Sequence, residues 1–272
     1  MLKNASDMNP PFFSIIIPVY NRSWSVGRAV ESAIFFAGAN IDVEIIIVDD
    51  ASIDNSIEVI EELIYKNAGT TNTSIKFIRH ITNKGVCGAK NTGGKAASGE
   101  WLIFLDSDDE LIGNTAVNVS KALIENRKYP LHFFKCISEE RIFLSNLNNN
   151  FELRNFKNYI RKGTNGESLP VIARKVFEKY LYDEDIRGYE SLSYLRVVSD
   201  YSAVVINSLV VRRYYTSHED RLSSKEGMRL RYNDLARGHF RALSEHHSEM
   251  GFNNFIKFIL RYIKAKIFAL VG

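Results

Sequence analysis

Asp106-Ser107-Asp108-Asp109 places carboxylates two residues apart, close enough to reach one divalent cation. Hard cations prefer such oxygen ligands. A cation held by only Asp106 and Asp108 would complete its shell with water and substrate phosphate, and would neutralise charge on a departing diphosphate. Taken alone, the same run reads equally well as an acidic turn at a helix N-terminus, where negative charge is favoured. A second group, Asp49-Asp50-Ala51-Ser52 with Asp54 behind it, could accept the ring N–H of a uracil or bond a ribose hydroxyl, as acidic residues at strand ends do in dinucleotide folds. Ser52 or Asp54 could cap a helix as well. A third comprises Asn83-Lys84-Gly85, Gly88-Ala89-Lys90-Asn91 and Gly93-Gly94. Small residues let a helix N-terminus approach a ligand, and Lys84 or Lys90 could meet a phosphate. A small-residue helix packed closely on a sheet would need the same glycines.

These groups act together only if secondary structure carries them to one place. Residues 13–19 are a continuous apolar run, the mark of a strand buried on both faces. Residues 24–37 follow helical spacing through Val26, Ala29, Val30, Ala33 and Ile34. Residues 43–48 repeat the strand signal and end in Asp49 and Asp50. Asp54 then starts a helix that turns Ile57, Ile60, Leu63 and Ile64 inward. Residues 75–78 and 101–105 are further strands, separated by a small-residue helix over 86–97. This alternation predicts a parallel sheet with helices on both faces. Ligands of such sheets bind outside the carboxyl ends of the strands, which places residues 18–22, 49–52 and 106–109 along one crevice.

Beyond Leu111 the periodicity weakens. Residues 131–136 and 141–144 read as strands, 161–168 as a loop, 173–182 and 190–199 as helices, and 202–212 as a β-branched strand. The remainder is helical. His246-His247 lacks a partner at ligand spacing and is expected to be solvated. The last stretch, 252–270, mixes Phe255, Ile259, Ile263 and Ile267 with Lys257, Arg261, Lys264 and Lys266 and contains no acidic residue. It suits a helix lying in an anionic membrane interface and equally one docked on the domain with its lysines solvated.

The 272 residues suffice for one large domain, or one domain with a helical extension. A net charge of +3 is too small to argue for nucleic acid. Two cysteines, Cys87 and Cys136, read as free thiols in a reducing compartment. Residues 1–11 lack the apolar core of a secretory signal, and no stretch reaches the ~20 apolar residues of a membrane span. The expected location is the cytoplasm, free or peripheral on the inner face of the inner membrane.

Four segments resemble the family 2 glycosyltransferases: Phe13-Ser14-Ile15-Ile16-Ile17-Pro18-Val19-Tyr20-Asn21, Ile46-Ile47-Val48-Asp49-Asp50-Ala51-Ser52-Ile53-Asp54, Asn83 through Gly93, and Phe104-Leu105-Asp106-Ser107-Asp108-Asp109. Their order and spacing cover about residues 13 to 110. The resemblance implies an α/β GT-A fold: a Rossmann-like, mostly parallel sheet flanked by helices, here with a helical C-terminal extension. The implied division is an N-terminal tail (1–11), a GT-A domain (12–215, with nucleotide-binding and acceptor-side halves meeting near 110) and an extension (216–272). It also implies a nucleotide-sugar donor, best guessed as a UDP-hexose or UDP-N-acetylhexosamine, and transfer with inversion. Pro18, Tyr20, Arg22, Asp50, Lys84, Lys90 and Ser107 would serve the nucleotide-sugar. Asp106 and Asp108 would take Mn2+ or Mg2+, with His218 approaching the metal as a histidine does in some relatives.

Members of the family usually carry a Glu-Asp pair ahead of a Leu-Arg doublet, the Asp acting as base. Here Gly188-Tyr189-Glu190-Ser191-Leu192-Ser193-Tyr194-Leu195-Arg196 keeps that spacing, with Glu190 on the base position and Tyr189 in place of the usual Glu. A carboxylate suffices to take the acceptor hydroxyl's proton. Competing readings are a charge in the first turn of a helix, or a base among Asp183, Glu184 and Asp185. The implied acceptor is a lipid-linked glycan in O-antigen, lipopolysaccharide or capsule assembly. A dinucleotide oxidoreductase would want Gly-x-Gly-x-x-Gly after the first strand, where this chain has Pro18-Val19-Tyr20-Asn21-Arg22. A P-loop kinase lacks its Gly-Lys-Ser/Thr loop here. The remaining rival is an inactive binding partner in the same pathway, which would be expected to have lost Asp106, Asp108 or Glu190.

Overall fold

The first apolar run becomes β1 (Phe13–Val19), every residue of it buried. Alternate side chains of a strand point to opposite faces, so full burial requires cover on both. Phe13, Ile15, Ile17 and Val19 join one core layer, and Ile16 joins the other. Each isoleucine so buried contributes roughly 1.5–3 kcal/mol against exposure. The computed structural model describes residues 11–38, 41–69, 72–140, 150–216 and 225–271.

After β1 come α1 (Val26–Ala37), β2 (Val43–Asp49), α2 (Ser56–Lys66), β3 (Thr73–Arg79), α3 (Gly85–Ala96) and β4 (Trp101–Phe104). The second half runs β5 (Glu110–Leu111), α4 (Ala116–Glu125), β6 (Leu131–Ser138), β7 (Phe151–Asn155), α5 (Phe156–Lys162), β8 (Ser168–Ala173), α6 (Arg174–Phe177), α7 (Ser191–Asp200) and β9 (Ala203–Tyr214). The C-terminal part is helical: α8 (Lys225–Leu230), α9 (Tyr232–Met250) and α10 (Phe252–Val271). The sheet order is β3-β2-β1-β4-β8-β6-β9-β5, with β7 paired to β9. β3, β2, β1 and β4 are parallel. β8 reverses direction between β4 and β6, and β6 pairs with β9 in parallel. Helix α10 packs along α9, which leans on α5 and α7.

Three expectations change. The loop expected over 161–168 is shorter, its first two residues belonging to α5 and Ser168 opening β8, which runs in the middle of the sheet although Pro170 within it gives no ladder N–H. Of the helix expected over 173–182, only Arg174–Phe177 forms. The chain beyond is captured instead by Asn91, whose side-chain amide donates to the Tyr182 carbonyl (2.9 Å) and accepts from the Tyr182 N–H (3.0 Å). His246 is buried, bonded to Glu249 (3.1 Å) against Phe156; only His247 is exposed. The strand expected over 141–144 lies outside the described residues.

Cys87 and Cys136 are buried free thiols. Burial pushes them up to about 12 and about 11 respectively, so both stay protonated and unreactive.

The glycines of α3 serve close packing. A Cβ on Gly93 would sit 2.4 Å from Ile16 Cγ2, and one on Gly94 would sit 2.2 Å from Phe177 Cε1. A ring held inside the core cannot swing aside as a flexible chain end can. Gly94→Ala is therefore expected to destabilise the protein by about 1–3 kcal/mol, read as a lower denaturant midpoint at unchanged m-value. An unchanged midpoint would mean that α3 is not seated on the sheet as described.

Candidate active site

β1, β2 and β4 are parallel, so the turns that follow their carboxyl ends meet at one edge of the sheet. Side-chain caps stitch these turns to each other. The Asn21 N–H donates to Ser52 Oγ (2.9 Å), and the Ile53 N–H donates back to Asn21 Oδ1 (2.9 Å). The Arg22 N–H reaches Ser56 Oγ (2.8 Å), and the Ser23 N–H reaches Asp54 Oδ2 (3.1 Å). Asp54 also accepts from the Ser56 N–H at the start of α2 (3.0 Å), so it caps while it cross-links. Asn21 and Ala51 hold left-handed backbone, φ 52° and 65°; for alanine that costs on the order of 1 kcal/mol, strain of the sort that persists where surrounding bonds enforce it.

The stitched turns, the acidic turn after β4 and the segment before α7 enclose a cleft of ≈ 680 Å3. Pro18, Tyr20, Arg22, Asp50, Lys90, Asp106, Ser107, Asp108 and Glu190 all line it. Lys84 does not; its side chain is exposed, and its part is a backbone N–H given to Asp50 Oδ1 (2.8 Å). His218 lies outside the described residues. Asp50 is buried, and its Oδ1 also meets His80 Nδ1 (2.7 Å), while His80 Nε2 meets Thr92 Oγ1 (2.9 Å).

The acidic run folds as a turn, the Asp109 N–H donating to the Asp106 carbonyl (3.0 Å). Arg28 holds it through the Asp108 carbonyl (2.7 Å). Arg212 of β9, itself buried, sits 3.2 Å from Asp109 Oδ2 and 3.8 Å from Asp106 Oδ2. Lys90 of α3 is the link across the cleft: its Nζ lies 3.1 Å from Asp106 Oδ1 and 3.0 Å from Glu190 Oε1. Burial alone would lower the Lys90 pKa, but Asp106 and Glu190 outweigh it and hold it well above the usual lysine range. For Asp106 the desolvation of the cleft would raise the pKa; Lys90 and Arg212 prevail and keep it below the ordinary carboxylate range. Asp109 moves the other way. Burial, with repulsion from Asp106 and Asp108 working against Arg212, pushes it up to about 7.

An ionised Asp106 whose side chain is 43% exposed at the cleft wall, with Asp108 beside it, fits a hard cation that takes its remaining oxygens from a diphosphate. Among the described residues no cluster of three or more His, Cys, Asp or Glu forms a cation site by itself.

Glu190 stands at the N-cap of α7 but makes no capping bond; its carboxylate turns to Lys90 in the cleft. The competing carboxylates are engaged elsewhere. Asp183 pairs with Arg196 (2.7 Å) and Arg241, Asp185 with Arg241 (2.9 Å), and Glu184 accepts from Asn91 (2.9 Å). Arg196 also grips Glu245 of α9 (2.7 Å). Tyr189 docks the helical extension: its hydroxyl meets His239 Nδ1 (2.7 Å), and its ring fills the space that a side chain at Gly238 would need.

Arg212, His80, Arg187 and Arg231 belong to no motif of the sequence. Only Arg212 had a signal, as a charge inside a β-branched run, since an arginine buried there needs a carboxylate.

Residues 14–181 match the family described as Glycosyl transferase family 2. The chain is 27% identical over 241 residues to the GalNAc(5)-diNAcBac-PP-undecaprenol beta-1,3-glucosyltransferase of Campylobacter jejuni, covering 84% of this chain and 74% of that one. The UDP-Glc:alpha-D-GlcNAc-diphosphoundecaprenol beta-1,3-glucosyltransferase WfgD of Escherichia coli is 31% identical over 136 residues, 50% of this chain and 50% of that protein. The chain spans about half the length or less of several other curated relatives, 47%, 41% and 48% in three of them. Among solved structures, mannosyltransferase PcManGT from Pyrobaculum calidifontis, in complex with GDP-Man and Mn2+, matches with a TM-score of 0.66 at 15% identity, over 99% of this chain and 77% of that one. At that identity the likeness is one of fold, and the fold is GT-A.

Proposed function

Because the chain belongs to glycosyl transferase family 2, we propose that it moves a sugar from a nucleotide-sugar, best guessed as a UDP-hexose or UDP-N-acetylhexosamine, to a hydroxyl of a lipid-linked glycan, with inversion. The observation that carries this reading is the Lys90 bridge, which sets a base candidate and the acidic turn on either side of one ammonium. Tyr20 and Asp50 hold the nucleoside. Asp106 and Asp108 hold Mn2+ or Mg2+, which when bound neutralises charge on the diphosphate. Arg22 and Lys90 add fixed positive charge beside the leaving group. Glu190 accepts the proton of the acceptor hydroxyl as its oxygen bonds to the anomeric carbon and the bond from that carbon to the diphosphate breaks. The Campylobacter and Escherichia relatives, both glucosyltransferases of undecaprenol-linked glycans, support the acceptor class, and likeness to the succinoglycan biosynthesis protein ExoO of Rhizobium meliloti supports a role in polysaccharide assembly.

A panel of sugar nucleotides, each with Mn2+ and with excess chelator, tests this reading. One UDP-sugar should be consumed with metal and spared without it. Binding of none of them in the presence of metal would sink the assignment and leave the acidic turn as a cap.

Peripheral membrane attachment through α10 belongs to the same proposal. The helix buries Phe258 and Ala265 but leaves Leu260 60%, Ile263 45% and Ile267 55% exposed, beside exposed Lys257, Lys264 and Lys266. Among the described residues no helix is long and apolar enough to cross a membrane. A half-docked helix with an apolar stripe between lysines suits an anionic surface. Sedimentation with anionic vesicles should exceed that with zwitterionic ones, and Leu260→Glu with Ile267→Glu should reduce it by about tenfold or more. Equal sedimentation of wild type and double variant would reject the attachment.

A further inference from the structure

The cleft wall beside Glu190 carries two guanidinium groups that the transfer chemistry does not use. Arg187 is exposed in the turn three residues before the base, and Arg231 enters from the C-terminal part, between α8 and α9. Both line the cleft. Arg231 Nη1 donates to the carbonyls of Gly188 (2.9 Å) and Arg187 (3.5 Å), which ties the C-terminal part to the backbone leading into Glu190. Its Nε is buried without a hydrogen-bond partner. Burial lowers the Arg231 pKa, Glu190 offsets this in part, and repulsion from Arg187 adds to the lowering. No carboxylate forms a close ion pair with Arg187 among the described residues. The unused buried donor of Arg231 and the repulsion between the two guanidinium groups would both be relieved by an anion beside them.

The acidic turn, to which the donor diphosphate is assigned, has other cations. Lys90 lies 3.1 Å and Arg212 3.8 Å from Asp106, whereas Arg231 is bonded to the Gly188 carbonyl two residues before Glu190. The second pair therefore faces the base side of the cleft, where the acceptor must lie. We propose that Arg187 and Arg231 grip a phosphate or diphosphate group on the acceptor, so that the enzyme selects phosphate-bearing glycans over neutral ones. This rests on the glycosyl-transfer reading and assigns residues to the acceptor side of it. Guanidinium forks match phosphate oxygens in bidentate fashion, and an anion fixed near Glu190 would orient the sugar hydroxyl toward the base.

The test uses the full chain with saturating UDP and Mn2+, which fill the donor side. Titration calorimetry then measures binding of N-acetylglucosamine linked by diphosphate to a short alkyl chain, against the same sugar as a neutral alkyl glycoside. Wild type should prefer the diphosphate compound, and Arg187→Ala should weaken its binding by about tenfold to a hundredfold with the affinity for UDP unaltered. Arg231→Lys, which keeps the charge but loses the fork, should fall between. Transfer assays should show the same loss in KM for acceptor more than in kcat. Equal binding of both compounds by wild type, no effect of Arg187→Ala, or an equal loss of UDP affinity would overturn the proposal. So would a phosphate preference seen only in anionic vesicles and surviving Arg187→Ala, because that recognition would belong to α10. Failure of the transfer reading would show instead as no donor turnover by wild type, and the binding titration still decides the arginine pair.

Discussion

Glu190→Gln is expected to lower glycosyl transfer by about 10²–10⁴-fold while leaving donor affinity within about threefold. The amide keeps an oxygen that can accept from Lys90, which now lies 3.0 Å from Oε1, so the cleft should keep its shape. What disappears is the ability to take a proton. The loss corresponds to roughly 3–5 kcal/mol of transition-state stabilisation. Asp183→Asn, Glu184→Gln and Asp185→Asn provide the contrast, because those carboxylates are occupied with Arg196, Asn91 and Arg241. Their variants should change stability more than rate. Single-turnover transfer with donor binding measured in parallel decides the matter. A Glu190→Gln enzyme that transfers at near wild-type rate would reduce Glu190 to a partner for Lys90.

The half of the cleft to which the donor is assigned in the proposed function is legible in the chain because β1, β2 and β4 are buried on both faces. Their apolar runs stand out, and each stops where polar residues begin, so Tyr20, Asp50 and Asp106 can be placed on one edge without coordinates. The acceptor half is less legible for identifiable reasons. β8 contains Pro170 and only a partly alternating burial pattern, so its sequence argues against the central position that it occupies. The stretch after α6 has helical spacing, yet Asn91 competes successfully for the backbone at Tyr182. Lys90 reads from sequence as a phosphate partner on a small-residue helix, and it lies on α3. Its double pairing depends on a turn and a helix start that lie 16 and 100 residues further along the chain, a juxtaposition that no local pattern encodes. Arg212 reaches Asp109 in the same way, from a strand that crosses back over the acidic turn.

Lys90→Met should be the second large loss, and a different one. The side chain is only 10% exposed and is the one cation seen to touch both Asp106 and Glu190 among the described residues. Removing it leaves two carboxylates facing each other across the cleft. Breaking a fully buried pair costs about 3–5 kcal/mol; here Asp106 is 43% and Glu190 20% exposed, so water screens much of this and a stability loss nearer ~1–2 kcal/mol is expected. The rate should fall further, by about 10²-fold or more, because misplacing both Glu190 and the acidic turn spoils alignment. Donor affinity should fall with it, unlike in Glu190→Gln. Lys90→Arg should rescue poorly, since a planar fork does not fit between two single oxygens on opposite walls. The competing idea is that Lys90 simply occupies the cation's place until substrate arrives. It predicts tighter Mn2+ binding and a preserved rate in Lys90→Met, and that outcome would remove Lys90 from the mechanism.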